Sequence, residues 1–199
     1  MDEDTNGYFR IATTTTQRVP DTENPQNWFG RTETANQVSI LAEKEGQLMV
    51  VGESKPMAVG ERIMSSRFSG CTGYVVTFRQ VDPLFTFDLS DPTQPRKVGE
   101  LKVPGFSSYI HPIDANTLLT IGTYIPEDPN APWQDRALQL SLFDVSDLKN
   151  PKQTFTQKVG TASSWSEAQH EHKAFNYFPA KKLLAIPFYD WSSNYRDDT

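Results

Sequence analysis

The amino-acid sequence predicts an all-β chain built from repeated four-stranded antiparallel units. Three observations carry this. Helix periodicity is missing, since no long stretch places apolar residues at i, i+3, i+4 and i+7. Short β-branched and aromatic runs recur instead, bounded by Gly, Pro, Asn and Asp. And one turn is written twice: LFTFDLSDPTQP at 84–95 and LSLFDVSDLKNP at 140–151, 56 residues further on.

In chain order the expected strands are 8–15, 37–43, 48–54, 62–68, 74–80, 84–90 and 97–103. They are followed by 108–113, 118–124, 138–145, 153–159, 172–178 and 183–189. Each is a run such as YVVTFRQ or LLTIGTY, whose side chains suit a pleated, half-buried surface.

Stacking the runs exposes the repeat. RFSGCTGYVVTF (67–78) aligns with HPIDANTLLTIG (111–122), 44 residues later. Each unit then continues through the duplicated turn into another strand, giving an order a, b, c, d. A four-stranded unit recurring every 40–50 residues or so is the signature of a β-propeller blade. The insertion YIPEDPNAPWQDR (124–136) lengthens the second spacing. The predicted domain is a β-propeller segment over 1–199: a partial blade at 6–54, complete blades at 61–103 and 107–159, and a partial blade at 170–190. The match of NGYFRIATT to TGYVVTFRQ predicts that the first unit lacks its a strand, and the last should stop after b. A ring needs about four to eight blades, so the sequence reads as a segment of a longer protein. Open ends of this kind favour self-association or low stability. Phe78, Phe85, Phe87, Leu142 and Phe143 are the expected core between blades.

The duplicated turn has its own chemistry. Pro92 fixes φ, Ser90 and Asp91 accept hydrogen bonds from turn N–H groups, and Pro95 opens the next strand. Calcium through Asp88, Ser90 and Asp91 is the functional alternative, but that ion wants six to eight oxygens and a denser acidic loop. A c–d hairpin turn is the better reading.

The stretch from SSRFSGCTGYVVTFRQVDPLFTFDLSDPTQPRKVGELKVPGFSSYIHP, with LSLFDVSDLKNP and HEHKAFNYFPAKKLLAIP, closely resembles the secreted bacterial and archaeal β-propeller family distantly related to WD repeats. The resemblance covers residues 6 to about 189. It implies a propeller fold, a longer parent chain and an extracellular or cell-envelope setting. It supplies no catalytic residues.

Bulk properties exclude several classes. The chain has 199 residues, is 37% hydrophobic and 22% charged, and so reads as globular. A net charge of −6 without a Lys/Arg run argues against nucleic acid. No apolar stretch approaches the ~18 residues that cross a membrane, and the acidic start MDEDTNGYF does not read as a signal peptide. A single cysteine, Cys71, excludes an internal disulfide.

The four tryptophans all fall in connections: Trp28, Trp133 and Trp191 in b–c loops, Trp165 in a d–a loop. In a meander these loops emerge on one face. Exposed tryptophan suits sugar rings, flat apolar groups or cations; the competing reading has each Trp pinning its own loop. Arg67, His111 and His172 align as equivalent polar positions near the propeller axis, where packing and hydrogen bonding explain them more simply than a metal. His170 and His172, two apart on the expected strand 172–178 and its approach, would point to one side and offer a metal pair. Cys71 in SGCTG lacks a nearby base and a following helix, so no nucleophile is assigned. No metal, cofactor or catalytic set is predicted. The expected function is a non-enzymatic recognition or scaffold domain with a protein, peptide or carbohydrate partner on the tryptophan face. The alternatives are an enzyme completed by blades outside this chain, and a structural assembly module.

Overall fold

The computed structural model describes residues 1–78, 82–126, 128, 130–132 and 135–191. Three four-stranded antiparallel sheets follow one another along the chain. The first holds β1 (Asp2–Glu3), β2 (Phe9–Val19), β3 (Arg31–Lys44) and β4 (Gln47–Glu53). The second holds β5 (Arg62–Ser69), β6 (Thr72–Phe78), β7 (Asp82–Asp88) and β8 (Arg96–Val103). The third holds β9 (Phe106–Pro112), β10 (Thr117–Tyr124), β11 (Ala137–Asp144) and β12 (Lys152–Val159). Two short antiparallel pairs follow: β13 (Ser164–Trp165) with β16 (Tyr189–Asp190), and between them the hairpin of β14 (Asn176–Phe178) with β15 (Leu183–Ala185). No helix among the described residues is long and apolar enough to cross a membrane.

The repeat extends below the level of strands. Arg67 pairs with Tyr74 across β5–β6, and His111 pairs with Leu119 across β9–β10, at the same place in each hairpin. The a strands shift register at matching points, between Ile63 and Ser65 in one sheet and opposite Ile121/Gly122 in the other. The d strands bulge between Val50 and Gly52 in β4 and between Gln153 and Phe155 in β12. Bulges increase local twist, so their recurrence shapes successive sheets alike.

Two expectations are corrected. The first sheet does carry an outer strand, because β1 pairs with β2. The Asp4 carboxylate accepts hydrogen bonds from the N–H groups of Asn6 (2.8 Å) and Tyr8 (3.0 Å), and this turn folds the N-terminal residues back. The buried Arg10 then grips Asp2 through Nε at 2.8 Å and Nη2 at 2.9 Å. At the other end, the expected strand 172–178 is broken. Glu167–Gln169 and His172–Ala174 are 3-10 turns, and only Asn176–Phe178 is extended. Ser166 caps the first turn in a reciprocal box with Gln169, and Glu171 caps the second; such side-chain caps compete with extended pairing.

The chain divides into two compact units, Met1–Lys102 with Leu148–Asn150, and the remainder from Val103. In the first unit Val38 and Ile40 of β3 meet Phe68, Val75, Phe85 and Phe87 of the second sheet. Phe87 has no exposed surface, and burial of such a ring is worth roughly 1.5–3 kcal/mol. In the second unit Leu119, Ile121 and Leu138 pack with Ala168 and Phe175. Of the five expected core residues, Phe85, Phe87 and Phe143 are buried, while Phe78 and Leu142 are half-buried.

The duplicated turn acts as a clamp. Asp88 accepts from the N–H (3.0 Å) and hydroxyl (2.6 Å) of Ser90, and Asp91 does the same for Thr93 (2.9 and 2.7 Å). Ser90 is thus a donor to Asp88 rather than an acceptor. Asp144 accepts from the Ser146 N–H at 2.9 Å in the second copy. These hydrogen bonds hold the carboxyls of Asp88, Asp91 and Asp144 below their ordinary value. Carboxylates engaged this way act as turn formers.

Candidate ligand-binding site

Trp165 ends β13 and pairs with Tyr189 of β16, their rings 5.4 Å apart and tilted by 33°. The Trp191 N–H donates to the Ser163 carbonyl at 3.4 Å, which brings Trp191 beside this short ribbon. Trp165, Tyr189 and Trp191 are 40%, 43% and 78% exposed. Trp28 is 95% exposed beside Phe29, in the loop between β2 and β3. Trp133 lies outside the described residues.

Polar contacts hold the ribbon in addition to the ring contact. Asp190 accepts from the Thr161 N–H (3.0 Å) and hydroxyl (2.7 Å). Ser164 Oγ accepts from the Leu138 N–H at 2.9 Å and donates to the Val159 carbonyl at 3.0 Å. Ser166 Oγ donates to the Pro187 carbonyl at 2.6 Å. Trp165 and Tyr189 therefore stand on a fixed base, packed against each other and each still about two-fifths exposed. A cavity of about 310 Å³ adjoins Trp165, and Ser108, Thr123, Arg136, Gln169 and His170 supply its polar wall. Gln169 Nε2 donates to Thr123 Oγ1 at 3.3 Å, which orients the amide.

Trp28 belongs to a separate loop with hydrogen bonds of its own. Asp21 accepts from Asn24 N–H (3.0 Å), Glu23 N–H (3.2 Å) and Asn27 Nδ2 (3.0 Å). Those bonds, the one from Asn27 first, pull the Asp21 carboxyl below its ordinary value.

The polar trio does not survive as predicted. Arg67 and His111 are register equivalents, but His172 opens a 3-10 turn, is exposed, and lies 3.3 Å from the carboxylate of its neighbour Glu171. The last hairpin places Tyr177 opposite Leu184 instead. His111 packs its ring against Phe175 (5.1 Å) and Tyr177 (5.7 Å). His170 closes the first 3-10 turn and His172 opens the second, so they do not share a strand face. Among the described residues no group of three or more His, Cys, Asp or Glu is arranged to hold a metal. Cys71 is exposed in its turn.

Tyr189 was missed in the sequence. Its signal was present in FYDW, where Tyr189 and Trp191 alternate around Asp190. Arg136, Gln169 and Thr123 carried no signal, because only the tertiary fold brings them to Trp165.

Successive four-stranded antiparallel sheets with recurring bulges and a recurring c–d turn define blades of a propeller-type protein. The chain belongs to the β-propeller domain family, whose sequence profile it matches over residues 1–199. It is 42% identical over 170 residues to an uncharacterized protein of Archaeoglobus fulgidus, an alignment covering 85% of this chain and 22% of that protein. It is 38% identical over 190 residues to an uncharacterized protein of Methanocaldococcus jannaschii, covering 96% of this chain and 26% of the relative. The chain thus spans about a quarter of the length of these curated relatives. No solved structure matches it.

Proposed function

We propose that this chain is a non-catalytic recognition segment of an exported β-propeller protein, and that it holds a saccharide on the Trp165–Tyr189 pair. One observation carries the reading: two adjacent rings stay about two-fifths exposed on a hydrogen-bonded base, next to a polar-walled cavity. A sugar ring offers an apolar C–H face to an aromatic ring and hydroxyls around its rim. Arg136, Gln169 and His170 supply partners for those hydroxyls. A site of this make-up, apolar in one wall with a few placed polar groups, is the usual form of a small-molecule site. The exported setting rests on the resemblance to secreted propellers. The scaffold role rests on the repeated sheets and their clamped turns.

The test is a glycan array probed with the 199-residue chain, followed by calorimetry of any saccharide retained. Trp165→Ala and Tyr189→Ala should each weaken that saccharide while far-UV circular dichroism stays unchanged. Absence of any saccharide binding, or binding indifferent to both substitutions, overturns the reading.

A further inference from the structure

The first unit contains a second, larger cavity of about 1060 Å³. Its floor is apolar, with buried Met57 and Phe85 beside Ala58 and Pro95. Its rim carries four cations, Lys55, Arg96, Lys97 and Lys102, against three carboxylates, Glu53, Glu61 and Glu100.

Each carboxylate is already engaged. Glu53 accepts from Ser39 Oγ at 3.2 Å, Glu61 accepts from Thr77 Oγ1, and Glu100 pairs with Lys97 at 2.9 Å. Lys97 also lies 4.7 Å over the Phe85 ring, and Arg96 reaches Asp88 at 3.3 Å. Lys55 and Lys102 are what remains. Neither ammonium has a hydrogen-bond or ion-pair partner among the described residues.

These two lysines are repeats of one position. GESK (52–55) ends β4 and GELK (99–102) lies in β8, 47 residues later. The d strand of the third sheet keeps the lysine, as FTQK (155–158), since Gly52 opposite Ile40 corresponds to Phe155 opposite Leu142. There the ammonium of Lys158 is occupied, 3.3 Å over the Tyr124 ring. The repeat thus supplies a lysine three times. It is satisfied by an aromatic ring in the third sheet and left facing open space twice, in one cavity.

We propose that this cavity binds an organic dicarboxylate with an apolar body, one carboxylate on Lys55 and the other on Lys102, the body on Met57 and Phe85. Two sources share that chemistry: a peptide with acidic residues flanking a large apolar one, and a free dicarboxylic acid. The site is separate from the Trp165–Tyr189 pair, and its fate does not depend on saccharide binding.

The experiment titrates the 199-residue chain with acetyl-Asp-Phe-Asp-amide, with phenylsuccinate, and with acetyl-Asn-Phe-Asn-amide as the uncharged control. At least one acidic probe should bind saturably, the control should not, and added salt should weaken binding because the lysines are exposed. Lys55→Gln and Lys102→Gln should each cost about two- to fivefold in affinity, the range of exposed ion pairs, and the double variant should lose both factors. Lys158→Gln should leave binding unchanged. The acidic probe that binds more tightly identifies the source. No saturable binding by either acidic probe, equal binding of the control, or a double variant matching the parent or Lys158→Gln overturns the proposal. Circular dichroism of each variant verifies the fold.

Discussion

Gly52 in β4 lies directly beneath the c–d turn of the next sheet. A Cβ added to it would collide with the Pro92 carbonyl oxygen and stand 2.7 Å from the Thr93 carbonyl carbon. Gly99 in β8 repeats the relationship: its Cβ would collide with the Leu148 carbonyl oxygen and lie 2.6 Å from Thr86 Oγ1, a hydroxyl that donates to that same carbonyl. The turn written twice in the sequence is therefore a docking element, and each copy needs a glycine in the preceding d strand.

Gly52→Ala and Gly99→Ala should each destabilise the chain by about 1–3 kcal/mol, the usual cost of forcing extra atoms into a close contact. Backbone atoms, not flexible side-chain ends, stand in the way. Urea titration checks this. Gly46→Asn is the contrasting case. Gly46 has φ 79° with nothing near its missing Cβ, and with Glu45 at φ 54° it closes a two-residue hairpin that asparagine also tolerates. That variant should stay within about 0.5 kcal/mol of the parent.

Arg10 gives the sharpest test of the N-terminal strand. It is 4% exposed, donates to Asp2 and to the Gly70 carbonyl at 2.5 Å, and stacks 5.6 Å over Phe68. Asp2→Ala leaves a buried guanidinium without its carboxylate. Removing one partner of a fully buried pair costs about 3–5 kcal/mol. Asp2 is partly exposed, so about 1–3 kcal/mol is expected here after screening by solvent, measured by thermal or urea unfolding.

The turn aspartates set a pH dependence. Hydrogen bonds from Ser90 depress the Asp88 carboxyl, those from Thr93 depress Asp91, and those from Ser146 depress Asp144. A depressed folded-state value means the stabilisation is present above the unfolded value of about 3.9 and is lost as pH falls through the folded value. Stability should therefore drop below about pH 4. Asp88→Asn should flatten that slope relative to the parent. Urea midpoints at pH 6, 4, 3 and 2.5 measure it.

Trp28 should contribute to no stability at all, since it is 95% exposed and its loop is held by Asp21 and Asn27. Trp28→Ala should leave the unfolding midpoint within about 0.5 kcal/mol of the parent. Asp21→Ala, by contrast, removes three hydrogen bonds and should increase amide exchange at Glu23, Asn24 and Gly30.

Strand positions were written in the sequence because they depend on local chemistry. Alternating β-branched and aromatic runs bounded by Gly, Pro, Asn and Asp placed β2 through β12 to within a few residues, apart from the longer β2–β3 ribbon, and the duplicated DLSDPTQP element located the c–d turns. Equivalence of Arg67 and His111 was legible too, since antiparallel register follows from turn position. Other features only the tertiary structure decided. β1 exists because Arg10, buried against Phe68 and the Gly70 carbonyl of the next sheet, needs Asp2, a charge pair with no periodic trace. His172 left its strand because two capped 3-10 turns satisfied backbone groups that pairing would otherwise have used. The open states of Lys55 and Lys102, against the occupied Lys158, depend on whether an aromatic ring lies above each ammonium. One repeated residue type thus acquired two environments, because the sequence repeats its strands more faithfully than it repeats what is packed around them.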